Sequence, residues 1–279
     1  MGKSEILVSI CIPAYNNADH ITETIESVLK QSHQRIEIIV VDDASLDNTY
    51  DVVAALTDSR IRLYKNEKNL GMAGNWNRTL ELAQGEFIKV MGADDLLKKT
   101  AIEKELAVLL ANPSAVTAES DTAMVDMQGK TRGTQKRYRK SGLMDGKVLA
   151  KKCLLSQDRF GAPVANLIRK SVLEMAGGFD PDFVYIIDYD FFLNLACKGD
   201  VFILHEALNG FRLRTDSNTG QVMGGGKSKA YIAEHRQLLD KYREVLQLSA
   251  SDVTRSMCMR RLWSFAVSVY LRFFGRGKG

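Results

Sequence analysis

The chain is predicted to form a mainly parallel β-sheet flanked by helices, and three observations carry that prediction. Apolar, strand-like runs alternate with amphipathic helical stretches through the first hundred residues, the pattern of an α/β domain with right-handed crossovers. Two of those runs, Val40-Val41-Asp42-Asp43 and Met91-Gly92-Ala93-Asp94-Asp95, stop on a carboxylate pair. Two like charges at the end of a buried strand are unfavourable unless a cation or hydrogen-bond donors meet them. Open α/β sheets bind ligands at the carboxyl ends of their strands, so the two pairs point to a site for a nucleotide and a divalent metal. Third, 279 residues with 45% hydrophobic and 26% charged side chains suffice for one large soluble domain with an appendage.

The elements follow in order. Residues 5–13 form a continuous apolar strand, and residues 19–31 place Ile21, Ile25, Val28 and Leu29 on one helical face, with Asp19 as N-cap. Residues 36–41 are the second strand, and residues 45–49 offer several caps for a helix through Val52, Val53 and Leu56. A short strand covers 61–64. Asn69-Leu70-Gly71 then turns the chain into a helix carrying Trp76, Leu80 and Ala83, and 86–91 is the fourth strand.

Past Asn112-Pro113 the alternation loosens. Residues 130–140 hold six basic side chains and no acidic one; they read as a mobile loop, either solvated or in contact with an anionic acceptor. Tyr185-Ile186-Ile187-Asp188-Tyr189-Asp190 opens a helix running to about Cys197, and its two carboxylates cannot share a helix face. A glycine-rich hinge at 224–226 precedes two helical segments, 229–246 and 251–274. The last mixes Trp263, Phe265, Tyr270, Phe273 and Phe274 with Arg260, Arg261, Arg272 and Arg276. That composition suits either an anionic bilayer surface or packing on the core or a second subunit, as in a homodimer.

Composition excludes several classes. A net charge of +4 argues against a polyanionic partner such as nucleic acid. The four cysteines are widely spaced, which excludes a zinc site or a disulfide framework and suits a reducing compartment. No apolar stretch is long enough to span a bilayer, and the first strand begins close to Met1, so no signal peptide is expected. A cytoplasmic protein, peripheral at the inner face of the membrane if the last helix binds lipid, is the expectation.

The ordered set of Val8 to Asn17, Ile39 to Thr49, Asn69-Leu70-Gly71, Gly85-Glu86-Phe87, Ala93-Asp94-Asp95, Gly177-Gly178-Phe179-Asp180 and Asp188-Tyr189-Asp190 resembles family 2 of the inverting glycosyltransferases, which have the GT-A fold. The resemblance implies a catalytic domain over 1–216 and a helical extension over 217–279, with a sugar passing from a nucleotide diphosphate, UDP above all, to an acceptor hydroxyl. The implied acceptor is a glycan or lipid-linked glycan of surface polysaccharide assembly. By the same resemblance Pro13, Ala14, Tyr15 and Asn16 line the base and ribose, Asp43 accepts from the uracil N–H, and Asn69 and Gly71 belong to the donor site. Asp94 contacts the ribose, Asp95 ligates Mn2+ or Mg2+, and Asp188 is the catalytic base, with Asp190 its rival. A hard cation held by one or two carboxylates, water and diphosphate is what such ions take.

Two departures stand out. Arg214 occupies the place of a histidine common among relatives; it can clamp phosphate but cannot ligate a metal. Ile187 replaces the usual glutamate before the base. The alternatives are a catalytically inactive nucleotide-sugar-binding module and a nucleotide-sugar pyrophosphorylase, the second opposed by the lack of a glycine-rich phosphate loop after the first strand. The absence of Gly-x-Gly-x-x-Gly there excludes a dinucleotide dehydrogenase.

Overall fold

The computed structural model describes residues 5–213 and 227–274, with side chains to residue 262. Among the described residues ten strands form one sheet: β1 (Val8–Ala14), β2 (Ile36–Asp42), β3 (Ile61–Lys65), β4 (Phe87–Val90), β5 (Leu96–Leu97), β6 (Ala115–Val125), β7 (Thr131–Gln135), β8 (Gly142–Met144), β9 (Asn166–Arg169) and β10 (Asp200–Arg212). Its order is β3-β2-β1-β4-β9-β6-β10-β5, with β7 on β6 and β8 on β10. The first four strands are mutually parallel, as are β6 and β10. Between these blocks β9 runs antiparallel to both β4 and β6, which makes the whole sheet mixed.

Alternation along the strands sorts side chains onto two faces. Ile10, Ile12, Ile38 and Val40 face one core with α1 (Ile21–Leu29), α2 (Thr49–Ala54) and α4 (Ala101–Ala111). Cys11, Ile39 and Val41 face the other, which holds α3 (Gly71–Leu82), α5 (Gly146–Leu155) and α7 (Ile187–Ala196); α6 (Lys170–Ala176) follows β9. From the C-terminal region, α8 (Ser228–Lys241) sends Leu238 and Leu239 into this second core, and α9 (Ala250–Phe274) sends Val253.

Several expectations change. The helix expected to be capped by Asp19 starts at Ile21 with His20 at the N-cap and no side-chain cap bond. The N–H groups of His20 and Ile21 both donate to Asn17 O, so the turn itself satisfies them. The basic stretch 130–140 is not simply a loop, because Thr131–Gln135 pairs with β6 as an exposed strand. The glycine-rich hinge and Arg214 lie outside the described residues, as do the aromatic side chains of the last helix. Among the described residues no helix is long and apolar enough to cross a membrane.

A buried ion pair joins β4 to α4. Lys89 Nζ, fully buried, stands 2.9 Å from Glu105 Oε2 and donates to the carbonyls of Val164 (2.8 Å) and Asn166 (3.3 Å). Ser120 Oγ donates to Glu105 Oε1. Burial holds the lysine below and the glutamate above its ordinary range. Removing one partner strands the other charge in an apolar interior, so Lys89→Met is expected to lower the unfolding free energy by about 3–5 kcal/mol. The double variant Lys89→Met, Glu105→Leu should recover most of it in chemical denaturation; a double variant as unstable as the single one would refute this account.

Candidate active site

Strand register collects the candidate residues on one edge. Ala14 and Asp42 pair at the carboxyl ends of β1 and β2, and Met91 N–H donates to Cys11 O just past β4. The loops carrying Tyr15, Asp43 and Asp94 therefore leave the sheet side by side. Because β9 runs antiparallel to β4, residues 158–165 before it reach that same edge, and Asp188 feels the charge of Asp158 there. The far end of β10 also arrives there, where Arg212 N–H donates to Asp95 Oδ1 at 3.4 Å.

The first two loops are laced together. Asn16 N–H donates to Ser45 Oγ (3.0 Å), Asn17 N–H to Thr49 Oγ1 (2.8 Å) and Ala18 N–H to Asp47 Oδ2 (3.1 Å). In return Leu46 N–H donates to Asn16 Oδ1 at 2.8 Å. Asn16 and Ala44 both take left-handed backbone, with φ 53° and 55°, a conformation unfavourable for alanine and sustained here by the surrounding bonds. Of the residues expected to line a base, Pro13 and Ala14 are buried within β1, whereas Tyr15 (44% exposed) and Asn16 form the lip.

Asp43 is 2% exposed and caps α3. Its Oδ1 accepts from Leu70 N–H and Asn66 Nδ2, both at 2.8 Å, and Oδ2 accepts from Gly71 N–H at 3.1 Å. Oδ2 keeps a lone pair for one further donor. Asn69 completes the turn, its Nδ2 donating to Asp43 O and its Oδ1 accepting from Gly71 N–H. Gly71 needs its φ of +74°, which favours glycine. Beside Asp43, Asp42 is fully buried and accepts from Ser45 N–H at 3.2 Å.

The second acidic pair divides its work. Asp95, expected to ligate the metal, is 3% exposed and turned inward. Its Oδ2 accepts from Gly92 N–H at 3.0 Å, and burial with the Asp94 charge holds its carboxyl well above the usual range. Asp94 is the more exposed of the two. A Cβ at Gly92 would stand 2.9 Å from Asp94 Oδ1 and 3.0 Å from Asp95 Oδ2, so glycine leaves room for both carboxylates. Behind them Arg212, buried and given no role of its own by the sequence, donates to the carbonyls of Asp94 (3.0 Å), Asp126 (2.9 Å) and Met127 (2.8 Å) and pairs with Glu23 at 2.6 Å. An arginine in a strand otherwise rich in apolar residues was the available signal.

At α7 the two candidate bases separate. Asp190 is 2% exposed and committed: Tyr242 Oη donates to Oδ1 at 2.8 Å and Lys241 Nζ to Oδ2 at 2.9 Å. Asp188 is part-exposed and accepts from Tyr189 N–H at 2.9 Å. Burial, then the Asp158 charge, push its carboxyl up to about 7. Arg137, from the basic stretch, opposes that shift and lies against Gly161, where a Cβ would fall 2.3 Å from its Cζ. Its charge also acts on Glu119, Asp121 and Asp158, with Lys136 and His205 acting on Asp121 and Arg260 on Asp158, so this part of the edge is a carboxylate cluster set among several cations.

Among the described residues no group of three or more His, Cys, Asp or Glu side chains is arranged for a metal. The Asp94–Asp95 pair nonetheless fits a hard divalent ion of the kind that takes one or two carboxylates and fills its shell with water and diphosphate.

Solved structures share this architecture and define its class. S. aureus TarS 1–349 in complex with UDP-GlcNAc superposes with a TM-score of 0.70 over 98% of this chain and 76% of that one, at 18% identity. The mannosyltransferase PcManGT from Pyrobaculum calidifontis, in complex with GDP-Man and Mn2+, gives 0.64 over 98% and 76%, at 17% identity. The fold is thus GT-A. The glycosyl transferase family 2 model matches residues 9–176, more than half of the chain, and the protein belongs to that family. An uncharacterized protein of Mycobacterium tuberculosis, MT1568, is 32% identical over 85% of this chain and 74% of its own length. The Escherichia coli UDP-Glc:alpha-D-GlcNAc-diphosphoundecaprenol beta-1,3-glucosyltransferase WfaP is 43% identical over 36% of this chain, a match spanning 40% of that protein. The putative teichuronic acid biosynthesis glycosyltransferase TuaG of Bacillus subtilis is 40% identical over 39% of this chain, a match spanning 44% of its own length.

Proposed function

We propose that this chain is an inverting, metal-dependent glycosyltransferase that moves a sugar from a UDP-linked donor to a hydroxyl of a lipid-linked glycan in surface polysaccharide assembly. The observation that carries the reading is the shared edge where Asp43, Asp94 and Asp188 lie, the last with its carboxyl at about 7. The donor and acceptor classes draw on the names of relatives such as WfaP and TuaG.

In this reading Tyr15 and Asn16 hold the base at the lip, and Asp43 accepts from the base through the free lone pair of Oδ2. Asp94 and Asp95 would hold Mn2+ or Mg2+, which when bound neutralises charge on the departing diphosphate. Asp94 is assigned the closer contact because Asp95 is occupied by backbone donors. Asp188 takes the proton of the acceptor hydroxyl as its oxygen attacks the anomeric carbon opposite the diphosphate. A base near 7 is well matched to that task, since a large share of it is ionised at neutral pH while it stays basic enough to accept. Arg214, placed on the phosphates by sequence, belongs to the same proposal.

UDP-, GDP- and dTDP-sugars should be compared with and without Mn2+, following both thermal shift and nucleotide release. The expected result is stabilisation by UDP-sugars that requires Mn2+, with slow UDP release. Binding without release over a broad donor and acceptor panel would favour an inactive binding module.

A further inference from the structure

Two groups on α8 grip the chain on either side of Asp188. Upstream, Glu234 accepts from three consecutive backbone N–H groups: Val184 at 3.1 Å on Oε1, and Tyr185 at 2.9 Å and Ile186 at 3.2 Å on Oε2. These amides lead into α7, and the opening N–H groups of a helix have no partner within it. Downstream, Lys241 bridges Asp190 (2.9 Å) and Asp180 (2.7 Å), while Tyr242 Oη donates to the other Asp190 oxygen. Glu234 and Lys241 are two helical turns apart and so share one face of α8.

Packing alone does not call for this glutamate. Glu234 is 8% exposed, and a carboxylate is unfavourable at such a position unless donors replace its water. Here all three donors come from the same short backbone segment, ending two residues before Asp188. The segment also lies beyond residue 176, where the family match ends.

We propose that Glu234 is a positioning residue for the catalytic carboxylate: through the amides of Val184, Tyr185 and Ile186 it fixes the backbone from which Asp188 projects, while Lys241 and Tyr242 hold the following turn through Asp190. The inference rests on the reading of Asp188 as the base. A base must sit within hydrogen-bond reach of the proton it removes, and a displacement of about 1 Å can lower the rate on the order of 100-fold. α8 thus acts as a strut behind the base, not as a separate appendage.

The test uses the full chain, with UDP release from UDP-glucose or UDP-N-acetylglucosamine in Mn2+ as the activity, UDP affinity by calorimetry, and amide exchange at residues 184–186. Glu234→Ala is expected to lower kcat by roughly 10- to 100-fold, leave the UDP Kd unchanged and speed exchange at the three amides. Glu234→Gln keeps one acceptor oxygen and should lose less. Wild-type kcat in Glu234→Ala, or a loss matched by weaker UDP binding, would overturn the inference. Asp188→Asn separates it from the reading beneath: activity there removes the base, whereas an inactive Asp188→Asn beside a fully active Glu234→Ala removes only the strut. If Glu234→Ala does not fold, Glu234→Gln decides alone, with reduced kcat and faster exchange supporting the inference and wild-type kcat refuting it.

Discussion

Asp188→Asn is expected to lower transfer by about 100- to 10,000-fold, the range contributed by a positioned general base, while UDP affinity stays at the wild-type value. The amide preserves shape and can still accept from Tyr189 N–H, so only proton acceptance is removed. In the wild type, kcat should fall about tenfold per pH unit below about 7, because burial and Asp158 hold the carboxyl there and only its ionised form is a base. Stability should move the opposite way. A carboxyl whose folded pKa lies above its unfolded value binds its proton more tightly in the native state, so stability is lost as pH rises from about 4 to about 7. Asparagine never ionises, so the variant should gain thermal stability relative to wild type across that window and keep the gain above it. Denaturation scans at pH 4 and pH 8 read this directly. Equal transfer by Asp188→Asn and wild type would remove Asp188 from the mechanism.

The parallel half of the sheet was legible because its strands β1 and β2 are apolar runs closed by charge or turn residues, as in Ile36–Asp42. By contrast β7 carries Thr-Arg-Gly-Thr-Gln with every residue exposed, so neither alternation nor apolar content announces it. Its pairing depends on β6, whose Thr122–Val125 stretch runs on past the residues paired with β9. The acidic pairs and the Asp188-Tyr189-Asp190 segment were visible as chemistry, but their division of labour was not. Nothing within three residues distinguishes Asp188 from Asp190; Lys241 and Tyr242, about fifty positions later, make the distinction by claiming Asp190. Glu234 was hidden for the same reason: locally an ordinary polar position, it acquires its role only from backbone groups that tertiary folding delivers.

Separate Asp94→Ala and Asp95→Ala variants should resolve the second acidic pair. Asp94→Ala is expected to remove the Mn2+-dependent part of UDP affinity. Outer-shell partners alone account for about 10- to 100-fold in metal affinity, so a lost carboxylate ligand should cost at least about 100-fold. Its effect on unfolding should be the smaller of the two, since Asp94 is the more exposed carboxylate. Asp95→Ala should lose that affinity as well, for a different reason. Without its carboxylate the N–H groups of Gly92 and Arg212 lose their acceptor, and a buried donor left unsatisfied costs about 1–3 kcal/mol. The Arg212 contacts with Asp94 O, Asp126 O and Met127 O would then be free to shift, carrying Asp94 out of place. Calorimetry of UDP with and without Mn2+, beside urea denaturation of each variant, separates the two cases. If Asp94→Ala keeps Mn2+-dependent affinity while Asp95→Ala alone loses it, Asp95 turns outward to meet the ion and the assignment of Asp94 as the closer ligand is wrong.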